Sequence, residues 1–191
     1  EHPATAPEDR QAGTLMLYTS GTTGRPKGVR RPLMPGNPDV VASLAGMLGA
    51  LFQLKSGAGV HLVTGPLYHA APGGFGTASL HLGHSLVLVD RWDAEDTLRR
   101  IERERVTSTH MVPTMFHRLL ALPDAVKRRY DVSSLQAVIH GAAPIGVESK
   151  KALIDWWGPV IFEYYGATEG GGTIANSADW LKKPGTVGKP W

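Results

Sequence analysis

The sequence contains no cysteine, and this absence excludes three classes of site. Within its 191 residues there can be no disulfide, no thiolate nucleophile and no cysteine-ligated metal. Long apolar runs are lacking as well. The longest, residues 40–54, contains Ser43 and Gln53 and is shorter than the roughly 20 residues that span a bilayer. A signal peptide would begin with a basic segment followed by an apolar one, and the first residues of this sequence do not have that pattern. We therefore expect a soluble protein with a cytoplasmic localisation.

Charge of one sign is also scarce. The chain has 20 Lys and Arg against 17 Asp and Glu, a formal net charge of +3 at pH 7. The densest basic stretch, residues 99–105, alternates arginines with Glu102 and Glu104, which is typical of a solvated helix face. A nucleic-acid-binding protein should instead show a clustered basic surface. We expect no nucleic-acid partner and no transmembrane segment.

Short apolar segments alternate with helical patterns through most of the chain. Residues 1–13 are polar and rich in Pro and Ala, so they are interpreted as a linker-like segment before a folded part at residues 14–191. The alternation predicts an α/β fold, with a mostly parallel sheet flanked by helices. The helix at residues 38–54 is apolar on nearly all sides and is expected to be buried. The predicted strands are residues 14–19, 60–64, 85–89, 108–112, 136–140 and 160–165, and the other predicted helices are 72–82, 94–105, 113–122 and 146–157.

One segment combines glycines, hydroxyls and a lysine directly after the first predicted strand. It has the sequence YTSGTTGRPKG at residues 18–28. Glycines let backbone N–H groups approach an anion, hydroxyls donate to phosphate oxygens, and Lys27 adds a flexible positive charge. A Walker A loop is excluded because Pro26 precedes Lys27 and Gly28 follows it. The pattern favours a nucleotide phosphate site over a plain polar turn, with these candidate residues: Thr19, Ser20, Gly21, Thr22, Thr23, Gly24 and Lys27.

Three further glycine-containing loops follow predicted strands, at residues 65–72, 141–144 and 166–172. In open α/β sheets, ligands bind outside the carboxyl ends of the strands. The sequence therefore predicts that these loops and residues 20–28 converge on one edge of the sheet.

These loops resemble, in order, the core motifs of the adenylate-forming superfamily, which includes acyl-CoA synthetases, luciferases and the adenylation domains of peptide synthetases. The segment at 18–28 resembles the phosphate loop and PLYHAAP at 66–72 the second core motif. GAAP at 141–144 resembles the loop beside adenine, YYGATE at 164–169 the Y-G-x-T-E motif, and GTVGKP at 185–190 the segment that follows it. Because five motifs are collinear, the resemblance extends over residues 14–190.

The resemblance implies a nucleotide-binding role for two of the loops. Tyr165 would stack on adenine, although a core tyrosine is the simpler interpretation without the residues that follow it. Gly166 belongs to the same motif, in which Thr168 would hydrogen-bond the α-phosphate and Glu169 would hold Mg²⁺. A solvated loop carboxylate is the alternative for Glu169. The other face of the adenine would contact the backbone of Gly141, Ala142 and Ala143.

The resemblance also implies a catalytic set of Lys27, His69 and Glu169. His69 would line the passage between the nucleotide and the acyl carboxylate, with a structural role as the open alternative. His140, beside the adenine loop, is assigned about equally to the border of the acyl pocket and to a structural role. Arg30 and its neighbour at position 31 depart from family members with a His-containing segment there, and solvated charge is the default interpretation.

The implied reaction joins a carboxylic acid to AMP at the expense of ATP and then passes the acyl group to coenzyme A, with Mg²⁺ required. The glycines at 73, 74 and 76 would permit a roomy pocket, which favours a medium or long fatty acid. Complete members also have a ribose-binding acidic residue and a mobile C-terminal domain with a catalytic lysine. We therefore expect this chain to be a central fragment of an N-terminal domain, inactive alone and able to form a homo-oligomer. A non-catalytic nucleotide-binding module, or a protein that adenylates an aryl or amino acid, stays open.

Overall fold

The computed structural model describes residues 5, 8–19, 24–30, 32–33, 36–167 and 171–191, with the backbone alone at positions 19, 41, 44 and 45. Its strands are β1 (Leu17–Thr19), β2 (Lys27–Val29), β3 (Val60–Val63), β4 (Ser85–Leu88), β5 (Ser108–Met111), β6 (Ala137–His140), β7 (Ile161–Gly166), β8 (Gly172–Asn176) and β9 (Lys189–Pro190). Its helices are α1 (Pro38–Leu51), α2 (Ala70–His81), α3 (Ala94–Arg103), α4 (Pro113–Leu120), α5 (Asp124–Lys127), α6 (Val147–Trp157) and α7 (Ser177–Lys182).

The main sheet has the strand order β4-β3-β5-β6-β7-β8-β9. The strands from β4 to β7 in this order pair in parallel, whereas β8 and β9 join the β7 edge antiparallel. Every residue of β5 and β6 is buried, as expected for central parallel strands covered on both faces. The predicted α/β fold, with a mostly parallel sheet flanked by helices, is therefore confirmed.

Two apolar layers cover the sheet. On one face, α3, α4 and α6 pack Leu98, Phe116 and Leu153 against the strands, in a core that also contains Trp157 and Trp180. On the other face, α1 and α2 meet the sheet through a smaller cluster made by Phe52, Phe75, Ile139 and Phe162. The sheet thus separates two environments, and successive residues of one strand project into different layers.

The first predicted strand does not join the main sheet, which corrects its expected position. Only Leu17–Thr19 is extended, and β1 pairs antiparallel with β2 in a separate two-stranded sheet, with Tyr18 opposite Gly28. A side chain on Gly28 would approach the Met16 methyl group within 2.6 Å, so this flexible methionine would have to move. The two described ends of segment 18–28 therefore pair with each other and not with a strand of the parallel sheet.

The prediction that the first helix is buried is wrong. α1 begins after Asn37, whose side chain caps it by accepting from the Asp39 N–H at 2.9 Å, and it ends at Leu51. Val40 and Met47 are 68% and 64% exposed, and Leu48 is among its residues that pack against the core. Within the described residues, only one side of α1 packs against α2 and the sheet. The apolar residues on its other side are therefore exposed.

The other boundaries differ from expectation by a few residues at element ends. α2 begins at Ala70 rather than at residue 72, and α3 begins as predicted after Asp93, whose carboxylate accepts from the Asp96 N–H at 2.9 Å. The sequence did not predict β2, α5, α7, β8 and β9. The helices α5 and α7 have four and six residues, fewer than the roughly 11–18 residues over which a helical period is recognised.

Candidate functional site

A pocket of about 920 Å³ opens at the carboxyl end of the parallel strands. This position is where an open α/β sheet binds its ligands. Three of the four predicted loops contribute to its walls, and β1 and β2 contribute Leu17 and Val29. The remaining predicted loop, residues 20–28, lies outside the described residues at positions 20–23. The loops and strands around the pocket contribute these wall residues among others: His69, Gly74, His110, Ala142, Tyr164 and Gly166.

The loop before α2 brings His69 to the pocket. His69 is the N-cap residue of α2 with an extended backbone, and its carbonyl accepts from the Gly73 N–H at 3.0 Å. A side chain on Gly73 would come within 2.4 Å of the Leu67 carbonyl oxygen, so glycine is required for the loop to fold back onto the helix. The His69 ring lies 4.6 Å from the Tyr68 ring and makes no capping hydrogen bond among the described residues.

Gly74 has the opposite role from Gly73. A side chain added at Gly74 would meet nothing within 4 Å, and this residue lines the pocket. One glycine of the pair therefore permits close packing, and the next one leaves space open. Of the three glycines expected to make a roomy pocket, Gly74 lines it, whereas Gly73 and Gly76 are not among its wall residues.

The loop after β6 has little freedom. A side chain on Gly141 would lie 2.7 Å from the ring of Tyr164, which only glycine avoids. Ala142 follows with φ +71°, in the left-handed region that costs an L-residue roughly 1–2 kcal/mol. Strained backbone of this kind concentrates at ligand sites. Ala142 lines the pocket, so the strain lies at the site.

Strand β7 divides two adjacent tyrosines between its two faces. Tyr164 packs with the α1–α2 cluster and lines the pocket. The side chain of Tyr165, at the next position, projects to the other face because side chains alternate along a strand. Tyr165 is 68% exposed. A ring with this exposure is not a core tyrosine, and its stacking on a planar ligand stays a prediction.

A buried hydrogen-bonded pair at the pocket wall was not predicted. His110 Nε2 and the Tyr164 hydroxyl are 3.1 Å apart, and the Phe75 ring stacks on the imidazole at 5.3 Å. Burial lowers the pKa of His110 to about 4 and raises the pKa of Tyr164, so both groups are neutral at pH 7. The sequence contains one signal for this pair, a histidine within the predicted strand at 108–112. The structure shows that this strand is buried at every position.

His140 does not border the pocket. It is fully buried on the face of β6 that packs against α4, where its ring meets the Phe116 ring edge-on at 5.3 Å. Of the two sequence interpretations of His140, the structural one therefore agrees with its position. The strand alternation explains the outcome, since Ile139 takes the pocket-side position on β6.

The predicted phosphate loop is described at its two ends. Gly24 has φ +79°, a conformation that favours glycine, and Lys27 lies in β2 opposite Thr19. Ser20, Gly21, Thr22, Thr23, Thr168 and Glu169 lie outside the described residues, as does the side chain of Thr19. Ala143 is described and exposed beside Ala142. Arg30 is exposed, as a solvated charge would be, whereas position 31 is outside the described part.

The segment at 185–190 reaches the pocket through β9. β9 pairs with β8, and the Trp191 N–H donates to the Gly172 carbonyl at 3.3 Å. A side chain on Gly172 would come within 2.4 Å of the Trp191 ring, so glycine leaves room for the indole beside β8. Trp191 thereby becomes a wall residue of the pocket, a role that the sequence did not indicate.

Neither a metal centre nor a membrane helix is found in the described part of the chain. Among those residues, no three His, Asp or Glu side chains converge as a metal site. Within the same residues, no helix has the length and apolar character needed to cross a bilayer.

Known proteins are similar to this chain in sequence and in fold. The family model described as AMP-binding enzyme matches residues 1–191. The chain is 34% identical over 166 residues to the medium/long-chain-fatty-acid–CoA ligase FadD8 of Mycobacterium tuberculosis, covering 87% of the chain and 27% of that protein. It is 33% identical over 180 residues to a feruloyl-CoA synthase of Amycolatopsis sp., covering 92% of the chain and 35% of that protein. The chain thus spans about a third of these relatives.

A solved structure supports the same comparison. The inhibitor-bound N-terminal domain of FACL13 from Mycobacterium tuberculosis aligns with a TM-score of 0.75 at 26% identity. The alignment covers 98% of this chain and 45% of that one. The similarity therefore extends across both the main sheet and the hairpin that precedes it.

Proposed function

The chain belongs to the family of AMP-binding enzymes, and on that premise we propose that the protein activates a carboxylic acid with ATP and transfers the acyl group to coenzyme A. The observation that carries the proposal is the pocket at the carboxyl edge of the sheet. Its wall contains residues from the second core motif, the adenine loop and the Y-G-x-T-E motif, including His69, Ala142 and Gly166. Motifs far apart in sequence therefore surround one cavity.

We propose a medium or long fatty acid as the acid. A volume of about 920 Å³ lies near the upper end of typical ligand pockets. The wall is formed largely by apolar side chains such as Leu48, Phe75 and Met115, against which an alkyl chain loses its contact with water. Among the described wall residues there is no Asp or Glu to pair with an ammonium group, which disfavours an amino acid.

In the first proposed step, a carboxylate oxygen of the acid attacks the α-phosphorus of ATP. The new oxygen–phosphorus bond forms as the bond to pyrophosphate breaks, which leaves an acyl-adenylate. The chain's contribution is positioning and charge neutralisation, as in other phosphoryl-group reactions. Lys27 and the hydroxyls of the loop from Thr19 to Thr23 would bind the departing phosphates. Glu169, an oxygen donor of the kind that Mg²⁺ prefers, would hold that ion, which when bound neutralises phosphate charge.

The nucleotide base and the reacting carboxylate would occupy different sides of this site. Tyr165 would stack on adenine with the backbone of residues 141–143 opposite, and Thr168 would donate to the α-phosphate. His69 would contact the carboxylate from the mouth of the pocket. In the second step, the thiol sulfur of coenzyme A attacks the acyl carbon, AMP leaves, and the thiol proton passes to solvent.

An aryl acid is the second candidate substrate. Phe52, Phe75 and Tyr164 provide aromatic rings in the pocket wall, and a planar acid would pack edge-on or offset against them. A non-catalytic nucleotide-binding module remains the alternative in a different class. It predicts AMP binding without any effect of the acid.

Binding to the 191-residue chain tests the proposal directly. Isothermal titration calorimetry with saturated acids of graded length and with cinnamic acids should show an affinity that rises with chain length until the pocket is filled. AMP should bind independently at a second site. Tighter binding of cinnamic acids than of any alkyl acid would favour the aryl substrate, and binding of AMP alone would favour the non-catalytic module.

A further inference from the structure

A buried ion pair lies behind the candidate nucleotide site, on the face of the sheet opposite the pocket. Lys150 of α6 is fully buried, and its ammonium donates to a carboxylate oxygen of Glu163 on β7 at 2.5 Å. The Trp180 ring covers the ammonium at 5.1 Å. His140 on β6 lies beside the carboxylate in register, with Nε2 3.8 Å from the same oxygen.

His140, the third titratable group of this cluster, does not take part in the ion pair. Burial, and then the nearby Lys150 charge, lowers the pKa of His140 to about 3, so its ring is neutral. Neither ring nitrogen has a hydrogen-bond partner among the described residues. His140 and Trp180 therefore exclude water from the pair, and Lys150 and Glu163 are held by each other.

Stability does not explain why two charges occupy this position. Taking a carboxylate and an ammonium out of water costs several kcal/mol per ion, and replacing such a pair by apolar residues is often neutral or stabilising. The next residue of α6 shows the contrast. Lys151 pairs with Asp155 at 2.6 Å on the surface, with both side chains more than half exposed, where an ion pair contributes little.

The places of the two residues in the chain suggest another role. Glu163 directly precedes Tyr164 and Tyr165 on β7, and Lys150 closes the first turn of α6, its N–H donating to the Gly146 carbonyl at 3.0 Å. That turn follows the loop at 141–144 without an intervening element. The ion pair therefore connects the first turn of α6, which follows the 141–144 loop, to the part of β7 that precedes Tyr165.

We propose that Lys150 and Glu163 are positioning residues of the nucleotide site, whose ion pair fixes the spacing between the 141–144 loop and Tyr165. This inference rests on the proposed function, because it takes that spacing as the width of the adenine slot. One wall of the slot is the 141–144 loop and the other is Tyr165 on β7. The pairing of β6 with β7 ends at His140 and Glu163, before either wall is reached. Beyond that point, the ion pair adds a hydrogen-bonded contact between α6 and β7.

The test is the double variant Lys150→Met/Glu163→Met, with Lys151→Met/Asp155→Met as the matched surface control on the same helix. Calorimetry on the 191-residue chain measures the Kd for AMP and for dodecanoate, and a thermal melt measures folding. We expect the buried double variant to melt close to the wild type and to bind dodecanoate normally. Its Kd for AMP should rise about tenfold or more, because misplacement by about 1 Å is costly at a fitted site.

Three results would overturn the positioning role. They are an unchanged Kd for AMP in the buried variant, an equal loss for AMP and dodecanoate, and the same loss in the surface control. A wild-type chain that binds dodecanoate but not AMP would instead contradict the nucleotide site of the proposed function, and the positioning role with it.

A second variant covers the case in which the buried double variant does not fold. Glu163→Asp keeps both charges paired but shortens the link by one methylene group. We expect it to fold and still to bind AMP several-fold more weakly, with faster hydrogen exchange of the Gly141–Ala143 and Tyr164–Gly166 amides than in the wild type. Wild-type affinity and wild-type exchange in this variant would exclude a positioning role.

Discussion

At the scale of single residues, Lys27 is expected to distinguish ATP from AMP. It lies in β2 at the end of the hairpin that carries the predicted phosphate loop. Because its charge would serve the outer phosphates, Lys27→Ala should weaken ATP binding about tenfold, the value of one charge-assisted hydrogen bond, and leave AMP binding unchanged. Calorimetry with both nucleotides measures the ratio. Lys55→Ala, at an exposed lysine that does not line the pocket, is the control. An equal effect of Lys27→Ala on ATP and AMP would contradict the assignment.

His69 should matter for the acid and not for the nucleotide. It lines the pocket at the N-terminus of α2. His69→Ala should therefore weaken binding of a fatty acid several-fold with little effect on the Kd for AMP, because it removes contacts at the carboxylate. His81→Ala, at the exposed C-terminal end of the same helix, is the matched control. A change in melting temperature alone, with normal acid binding, would favour the structural role of His69.

Gly74 should limit the length of the acid. A leucine there would fill open pocket space, since a side chain at Gly74 meets nothing within 4 Å. We expect Gly74→Leu to bind short acids as the wild type does and to lose affinity for long ones. Loss of a helical glycine should also stabilise the fold by roughly 0.5–1 kcal/mol. Gly46→Leu, in open space on the exposed side of α1, controls for the helix effect. An unchanged length preference in Gly74→Leu would show that the acid binds elsewhere.

Residue identities in the site were more predictable than residue partners. His69, Ala142 and Gly166 were predicted from motifs, and the structure brings them to one pocket. His110 was missed, because its pairing with Tyr164 depends on two strands that are not adjacent in the chain. The strain at Ala142 was missed for a related reason, since nothing in an alanine side chain indicates a positive φ.

At the scale of elements, the central strands should make the protein sensitive to acid. β3, β5 and β6 carry His61, His110 and His140, whose pKa values burial lowers from 6.5 to about 3, 4 and 3. The folded state therefore binds fewer protons than the unfolded state below pH 6.5. Stability is complete above pH 6.5 and falls as the pH decreases toward 4. At pH 5 the loss is about 2 kcal/mol for each histidine.

Urea unfolding at pH 7 and pH 5 measures this loss. His61→Gln retains a polar partner for Ser108, which lies 2.9 Å from His61 Nδ1, and removes one titrating group. The variant should show a smaller difference in unfolding free energy between the two pH values. Equal stability of the wild type at both pH values would contradict the buried, neutral state of these histidines.

The elements that sequence patterns predicted well are those whose burial is one-sided or complete. α3 buries Leu98 and Ile101 on one face and carries polar residues elsewhere, and it begins at residue 94 as predicted. The burial of α1 was predicted wrongly because a helix that is apolar on all sides has no stripe to indicate which face is buried. The neighbouring elements decide which of its residues are covered. The hairpin of β1 and β2 was missed because three-residue strands carry too little alternation to show their pairing.

At the scale of the whole molecule, we predict that the 191-residue chain alone does not complete acyl-CoA synthesis. It spans 27% of FadD8 and 35% of the feruloyl-CoA synthase. The proposed reaction needs a closed site with several charges in place, and loss of one such electrostatic partner costs about 10²–10³ in rate. Incubation with ATP, Mg²⁺, coenzyme A and dodecanoate should release AMP at the background rate.

The control for this prediction is nucleotide binding by the same preparation, which shows that the chain is folded. Robust acid-dependent AMP release would show that the 191 residues contain the essential parts of the active site. AMP release that does not depend on the acid would indicate hydrolysis of ATP and contradict the proposed reaction.

The two tyrosines of β7 also bear on how such a protein can change over generations. Tyr164 and Tyr165 are neighbours in the gene but serve opposite faces of the strand. A codon substitution at position 164 can therefore reshape the proposed acid pocket and leave the proposed stacking face of Tyr165 intact. An insertion or deletion of one codon upstream in the strand would exchange the two faces and lose both functions together. Diversification of the acid should thus proceed through point substitutions, with the length of this strand preserved.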